Sequence, residues 1–221
     1  KSSMSFQLSE VQQRIVNHKQ GHLRIVACPG SGKTETVSHR IAQMIADGEE
    51  PSQIVAFTFT RKAAENLRHR IRIQLESRSN RTDFGDMYVG TIDAFCLHLI
   101  KTLRPEYKSF EILDESKKIA FIERWYWSIG LNVLSERDDI RKWQLISKFN
   151  SSLDRIINEK VDVNQIADDE FVSCYNNYVQ KLSDERFFDY GSVITTLLDI
   201  IQNDDSVARD LGAKIKHVVF D

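Results

Sequence analysis

The residues with the clearest capacity for chemistry form the run ACPGSGKT at positions 27–34. Gly30 and Gly32 allow backbone angles that other residues disfavour, so successive N–H groups can turn toward phosphate oxygens. Lys33 can neutralise the β- and γ-phosphates, and Thr34 can offer its hydroxyl to Mg²⁺. The run is a Walker A loop with alanine in place of its first glycine, and it predicts a site for the phosphates of a nucleotide. The residues expected around the phosphates are Pro29, Gly30, Ser31, Gly32, Lys33, Thr34 and Glu35.

A second candidate is Asp221, which follows the apolar run HVVF at 217–220. An aspartate at the end of an apolar strand is the usual partner of a Walker A loop, because its carboxylate holds Mg²⁺. One aspartate after a strand is commonplace, and the loop upstream is what gives Asp221 significance. We predict Lys33 and Asp221 as catalytic residues, and Thr34 and Asp221 as Mg²⁺ ligands. Alone, these elements indicate only a nucleotide-binding protein.

Short apolar runs alternate with amphipathic segments in the first part of the chain. This alternation predicts parallel strands joined by crossover helices, which is an α/β fold. Strands are expected at residues 22–27, 54–59, 87–90 and 216–220. Helices are expected at residues 8–18, 34–46, 62–75, 92–102 and 192–201. The phosphate loop then lies between a strand and a helix, which is the context that its chemistry requires.

The sequence changes character between residues 105 and 186, where glycine is almost absent and long helical patterns replace the alternation. We predict an all-helical insertion there, so the domains are 1–104, 105–186 and 187–221, with the first and last forming one core. All three tryptophans lie in the insertion, at Trp125, Trp127 and Trp143. Their clustering favours core packing over a role in base stacking.

The formal net charge of −2 does not mark a nucleic-acid binder, so contact with a polyanion must come from a local patch. Residues 61–81 hold seven Lys or Arg against two Glu. Helical spacing predicts a buried face of Ala64, Leu67, Ile71 and Leu75, and a separate basic face of Arg61, Arg68 and Arg72. This run predicts a phosphate-binding patch, although a solvated helix face has the same composition.

The cysteines and the apolar runs bear on the compartment. Cys28, Cys96 and Cys174 lie far apart without the spacing of a zinc site or a disulfide framework, which favours a reducing cytosol. The longest apolar runs fall well short of the ~20 residues that span a bilayer. The first residues lack the apolar stretch of a signal peptide. We therefore expect a cytoplasmic protein with no membrane partner.

Two further motifs concern adenine: LSEVQQ at 8–13 and SHRI at 38–41 resemble motifs of the UvrD/Rep-type superfamily 1 DNA helicases. LSEVQQ at 8–13 resembles the Q motif of that family, whose glutamine reads adenine with its amide. The register from Leu8 makes Gln12 the better match. SHRI at 38–41 resembles the family's continuation of the phosphate loop, in which an arginine lies against the adenine ring. The resemblance gives this role to Arg40.

Other motifs resemble the parts of the same family that contact DNA. AFTFTRKAA at 56–64 is similar to motif Ia, with Arg61 where asparagine is usual. The resemblance implies that Phe59 stacks on a base of single-stranded DNA and that Thr60 and Arg61 lie at backbone phosphates. VGTIDAFC at 89–96 resembles motif Ib and implies a DNA contact for Thr91. Asp93 replaces the usual histidine, and we expect it to cap the following helix instead.

The resemblance extends through the insertion. FEILDE at 110–115 resembles the start of the family's helical 1B subdomain, and FFDY at 187–190 resembles its end. It implies a RecA-like core that uses ATP and Mg²⁺, binds single-stranded DNA and duplex junctions, and translocates 3′ to 5′. A second RecA-like domain of the same parent chain would close on the nucleotide. The sequence identifies no protein partner, and we expect Asp189 to be a structural cap.

Alternatives remain open at this point. The chain could belong to the motor of an AddA/RecB-type helicase–nuclease, or to a catalytically silent helicase-like module. A small-molecule kinase would explain the phosphate loop but neither the Q motif nor motif Ia. In the family the strand that carries Asp221 continues into a glutamate, and the second domain supplies an arginine. We therefore expect the chain alone to bind nucleotide weakly and to hydrolyse essentially none.

Overall fold

The computed structural model describes residues 8–79 and 84–221, without the side chain of residue 79. The chain forms two compact units. The first runs to Phe95 and resumes at Asp204, and the second comprises Cys96–Asn203. The second unit takes in more of the chain than the insertion expected at 105–186, and the three-part division stays a prediction.

The bounds of the elements follow in chain order. The strands are β1 Ile54–Phe57, β2 Tyr88–Gly90, β3 Glu111–Ile112, β4 Phe187–Phe188 and β5 His217–Phe220. The helices are α1 Glu10–Val16, α2 Lys33–Ala46, α3 Arg61–Ser79, α4 Ile92–Leu103, α5 Glu115–Arg124, α6 Tyr126–Ile129, α7 Leu131–Asp138, α8 Lys142–Asn158, α9 Asp169–Asp184, α10 Tyr190–Asn203 and α11 Asp205–Lys214.

The first unit is built on a parallel sheet with the strand order β2-β1-β5. Val55 of the central strand is aligned with Tyr88 on one side and Val218 on the other. Every residue of β1 is buried, as expected for a parallel strand covered on both faces. The parallel sheet and its crossover helices confirm the predicted α/β class.

Helices α2 and α3 supply the apolar side chains that cover this sheet. Residues that helical spacing places on one side of each helix are buried: Ile41 and Ile45 on α2, and Leu67, Ile71 and Leu75 on α3. They pack with Ile54, Ala56 and Val89 in one core cluster. The predicted buried face of α3 is therefore confirmed, and this packing fixes the helix that follows the phosphate loop.

The strand expected at residues 22–27 is wrong. The structure assigns no strand to this segment, and the Val26 side chain is 86% exposed. Apolar alternation yields a strand only where a neighbouring strand supplies hydrogen bonds. Among the described residues β5 pairs with β1 alone, so residues 22–27 form no hydrogen-bonded ladder with its other edge.

The second unit has a helical core and one small sheet. Buried side chains of α5 to α9 form its main cluster, with Phe121, Phe149 and Tyr178 among them. Strands β3 and β4 pair in parallel, so the predicted insertion contains one short strand and is not wholly helical. Asp189 accepts the Ser192 N–H at 2.7 Å and the Tyr178 hydroxyl at 2.8 Å. Its predicted role as a structural cap is confirmed.

The prediction that the tryptophans pack in the core is wrong for two of them. Trp125 packs against the core, whereas Trp127 is 72% exposed and Trp143 66% exposed. Helix α6 turns Tyr126 and Ile129 inward, and the rotation of about 100° per residue takes Trp127 to another side. Trp143 likewise lies outside the buried face of α8, because the first buried residue of that helix is Leu145.

Candidate nucleotide site and nucleic-acid interface

The phosphate loop has the backbone geometry that its glycines predict. Gly30 and Gly32 have φ angles of +78° and +81°, in the left-handed region. A Cβ at Gly30 would meet no atom within 4 Å, so the backbone angle and not the available space requires glycine there. Gly32 caps α2 without a side-chain hydrogen bond. The first N–H groups of α2 can therefore serve an anion.

Lys33 folds back over the loop. Its Nζ donates to the carbonyl oxygens of Ala27 and Cys28, each at 3.0 Å, and the side chain remains exposed. The neighbouring Ser31 N–H donates to the Cys28 carbonyl at 3.2 Å. A phosphate would replace neutral carbonyls with an anion as the partner of this ammonium group, and charge-assisted hydrogen bonds are the stronger kind.

Gln12 joins α1 to the phosphate loop. Its Oε1 accepts the Ser9 N–H at 2.9 Å, which completes a capping box with the Ser9 hydroxyl. Its Nε2 donates to the Ser31 carbonyl at 3.2 Å. Both ends of the amide are thus engaged, one with the start of α1 and the other with the loop.

Arg40 lies at the opposite end of α1. Its Nη1 donates to the carbonyl oxygens of Ile15 at 2.7 Å and His18 at 2.6 Å, where the helix leaves backbone acceptors unsatisfied. Burial of the guanidinium lowers the pKa of Arg40 from its ordinary value. Gln12 and Arg40 therefore hold the two ends of α1 against the phosphate loop and α2.

One open cleft of the first unit, about 1190 Å³ in volume, is lined by five of the ten residues predicted for the nucleotide and its Mg²⁺. Asp221 reaches this cleft because its N–H donates to the Phe57 carbonyl at 2.9 Å and so continues the pairing of β5 with β1. The predicted residues that line the cleft are Gln12, Ser31, Lys33, Arg40 and Asp221. Pro29 and Gly30 are exposed in the loop itself, and Thr34 is half-buried at the start of α2.

Glu35 points elsewhere than sequence reasoning expected. Its carboxylate accepts hydrogen bonds from Arg70 and from Gln74, the latter at 3.0 Å, and both donors belong to α3. His39 Nε2 lies 3.4 Å from Glu35 Oε1. The predicted phosphate neighbour is thus directed toward α3. The signal for this interface was the four-residue spacing of Glu35 and His39 on one helix and of Arg70 and Gln74 on the other.

The loop after β1 presents Phe59 to solvent. Its side chain is 96% exposed, whereas Phe57 packs against Phe95 and Phe220 with ring centroids 5.3 Å apart in each case. The Thr60 hydroxyl accepts the Ala63 N–H at 3.1 Å and so caps α3, and Arg61 is exposed. Phe57 is therefore used in packing, whereas the ring of Phe59 is accessible for the base stacking that the resemblance implies.

A second loop of the first unit begins at the end of β2. The Thr58 N–H donates to the Gly90 carbonyl at 2.9 Å, which ties this loop to the one that carries Phe59. Thr91 is buried, and its carbonyl accepts the Tyr88 hydroxyl at 2.9 Å and the Phe95 N–H at 3.2 Å. Asp93 lies in the first turn of α4, where a negative charge favours the helix.

Several of the cations in the basic run at residues 61–81 are engaged in hydrogen bonds within the first unit. Arg68 donates to the Val89 carbonyl, Arg70 to Glu35, and Arg78 to Gln43. The described cations of the run that remain exposed without such a bond are Arg61, Lys62 and Arg72; Arg81 lies outside the described residues. The patch available to phosphates is therefore smaller than the composition suggested.

The phosphate loop, with its two glycines in the left-handed region, precedes α2. A parallel sheet and an aspartate after β5 accompany it. Together these features define a P-loop nucleotide-binding domain of the α/β class. The sequence model of the UvrD/REP helicase N-terminal domain matches residues 8–221. This chain belongs to that family, and its core is the RecA-like α/β domain that the sequence predicted.

Among the described residues, no helix is long and apolar enough to cross a membrane.

Similar proteins include several bacterial helicases. The chain is 25% identical to DNA helicase II of Haemophilus influenzae over 97% of its own length and 30% of the relative. It is 27% identical to the ATP-dependent DNA helicase PcrA of Bacillus subtilis over 97% of the chain and 29% of the relative. It is 28% identical to PcrA of Leuconostoc citreum over 91% of the chain and 27% of the relative. The chain therefore spans less than a third of the length of these relatives.

Proposed function

We propose that this chain is the ATP-binding domain of an ATP-dependent DNA helicase that translocates 3′ to 5′ on single-stranded DNA. One observation carries the proposal: a single cleft gathers Gln12, Lys33 and Asp221, while Phe59 is exposed where the central strand of the same sheet ends. The names of the relatives, which include ATP-dependent DNA helicases, support it.

The nucleotide is bound by groups that the fold has already directed toward the cleft. In our proposal the N–H groups at the start of α2 receive the phosphates, and Lys33 exchanges two carbonyl partners for phosphate oxygens. Arg40, held by the carbonyls of α1, lies against the adenine ring. Gln12 reads adenine with its amide, for which it gives up its contact with Ser9 or Ser31.

The donor set is suited to Mg²⁺. Thr34 offers a hydroxyl and Asp221 a carboxylate, which are the hard oxygen ligands that this ion prefers, with phosphates and water as the remaining ligands. Asp221 lines the cleft that Lys33 also lines. When bound, the ion would neutralise charge on the β- and γ-phosphate oxygens. Thr34 and Asp221 hold it in our proposal.

Single-stranded DNA is proposed to cross the ends of β1 and β2. Phe59 stacks on a base, because its exposed ring has no packing role in the first unit. Arg61 lies at a backbone phosphate, and Thr60 caps the helix from which Arg61 projects. Thr91 is buried, so we assign it the support of its loop, together with any contact that its loop makes through the backbone.

The activity belongs to a longer protein in this proposal. A second RecA-like domain closes on the nucleotide, and duplex junctions are the substrate of unwinding. A cytoplasmic location follows from the action on DNA in a bacterial cell, to which the relatives point.

The experiment is a DNA-stimulated phosphate-release assay on the full-length protein. Wild type should hydrolyse ATP faster when single-stranded DNA is added, and Asp221→Asn should abolish turnover because the Mg²⁺ carboxylate is lost. Asp199→Asn, on the exposed side of α10, is the matched control and should behave as wild type. A wild-type protein that binds ATP and DNA without turnover would support a silent binding module instead.

A further inference from the structure

Glu35 follows Thr34 directly in the chain, yet its carboxylate binds the neighbouring helix. Arg70 donates to Oε2 and Gln74 donates to Oε1, so both carboxylate oxygens are occupied from α3. The side chain is 14% exposed. An acidic group so close to a phosphate site would repel the ligand if it faced the cleft, and the pairing with Arg70 directs it away.

The contact is the first in a longer row, which we call the α2–α3 polar seam. Residues four apart on α2 face residues four apart on α3, which is one helical turn in each case. Arg78 donates to Gln43, and its Nη2 lies 2.9 Å from His39 Nδ1. The seam consists of Glu35, His39, Gln43, Arg70, Gln74 and Arg78.

The seam differs from the apolar packing beside it in what it specifies. Apolar side chains such as Ile45 and Leu75 attract one another in many relative positions of two helices, because the hydrophobic effect is non-directional. Hydrogen bonds between charged groups have defined lengths and angles. The seam therefore specifies one axial register of α2 against α3, and a shift of one helix must move the other or break the row.

Helix α3 in turn carries the loop of Phe59. The Thr60 hydroxyl caps α3, so the loop is bonded to the helix on which Arg70 lies. Arg70 lies about 14 Å further along α3 than Arg61, at roughly 1.5 Å of rise per residue. Ala64 and Leu67 between them are buried, which favours motion of the helix as one body.

We propose that the α2–α3 polar seam couples the phosphate site to the Phe59 loop, with Glu35 and Arg70 as the positioning residues of its first link. The proposal rests on the function proposed above. Phosphate binding draws Lys33 away from the Ala27 and Cys28 carbonyls and shifts the first turn of α2. Glu35 lies in that turn and transmits the shift to Arg70, and through α3 to the loop. Nucleotide and single-stranded DNA therefore change each other's affinity.

The test measures affinity for single-stranded DNA by fluorescence anisotropy on the full-length protein, with and without a non-hydrolysable ATP analogue and Mg²⁺. The ratio of the two dissociation constants is the coupling, and for wild type we expect about 5-fold or more. Glu35→Gln and Arg70→Gln should each bring the ratio close to 1. The affinity for single-stranded DNA alone, and that for the analogue alone, should each stay within about 2-fold of wild type. The double variant should lose no more than either single one, because both remove the same link.

Two further variants separate coupling from a merely structural role. Arg70→Lys keeps the charge and should retain most of the coupling, even if Arg70→Gln fails to fold. Arg72→Gln removes a cation from the exposed part of α3 and should leave the ratio unchanged. Wild-type coupling in Glu35→Gln and Arg70→Gln, or equal losses in Arg72→Gln, would overturn the proposal. Independent binding of both ligands by wild type would also overturn it, whereas failure to bind either ligand would refute the proposed function itself.

Discussion

The loops of the first unit and the core of the second unit differ in whether their functional groups are exposed or buried with partners. In the second unit the buried side chains of Tyr178 and Lys118 have polar partners: Tyr178 donates to Asp189, and Lys118 binds Asp154 at 2.7 Å. In the first unit the loops leave Lys33 and Phe59 exposed, and left-handed glycines prepare backbone N–H groups for a partner. Such side chains, which the fold leaves exposed, indicate where a ligand binds.

Two phenylalanines make this comparison measurable, and the larger effect is expected in the second unit. Phe149 is buried and packs edge-to-face against Phe171 and Tyr178, with ring centroids 5.7 and 5.9 Å away. Phe149→Ala should lower the free energy of unfolding by about 3–5 kcal/mol, because it removes apolar contacts and leaves a cavity. Chemical denaturation measures this loss. A change below about 1 kcal/mol would show that this core tolerates the void.

The same substitution at Phe59 should leave stability unchanged and affect binding. Phe59→Ala removes an exposed ring, so we expect weaker binding of single-stranded DNA by about 1–3 kcal/mol, the usual contribution of one base–aromatic stack. Titrations at several salt concentrations should give an unchanged salt slope, because no charge is removed. Loss of stability in place of loss of affinity would assign Phe59 to the core.

Arg61 provides the complementary change. Arg61→Ala should lower the salt slope for single-stranded DNA by about 0.7, which is the contribution of one phosphate contact. The measurement is the slope of the logarithm of the binding constant against the logarithm of the salt concentration. A slope equal to that of wild type would remove Arg61 from the phosphate path and leave Lys62 as the next exposed cation along α3.

The sequence identified those parts of the site that depend on neighbours along the chain. The exposed ring of Phe59 agrees with the stacking role that the resemblance implied, and the phosphate loop follows from local backbone rules. The direction of Glu35 does not, because its partner Arg70 is distant in sequence and helical spacing alone leaves the facing helix open. For the same reason the segment 22–27 was predicted as a strand, since the local pattern cannot tell whether a segment pairs with a neighbouring strand.

The smallest expected effect concerns His39 in the α2–α3 polar seam. Burial lowers the pKa of His39 below its ordinary value of 6.5, with the charge of Arg78 acting in the same direction and Glu35 against it. Below 6.5 the unfolded chain then binds more protons than the folded one, so stability should fall as the pH is lowered through this window. His39→Gln should flatten the pH dependence of the unfolding free energy. If the unfolding free energy of variant and wild type had the same pH dependence, protonation of His39 would not destabilise the folded state.

Calorimetric titration of Lys33→Ala with ATP and Mg²⁺ tests the central assignment most directly, because the nucleotide site depends on this side chain. The expected result is a loss of affinity of about 100-fold or more, which corresponds to about 2.8 kcal/mol, with unchanged thermal stability. Lys62→Ala, an exposed lysine on α3, is the matched control and should bind as wild type. Equal affinity in Lys33→Ala and wild type would contradict the assignment of the phosphate loop as the nucleotide site.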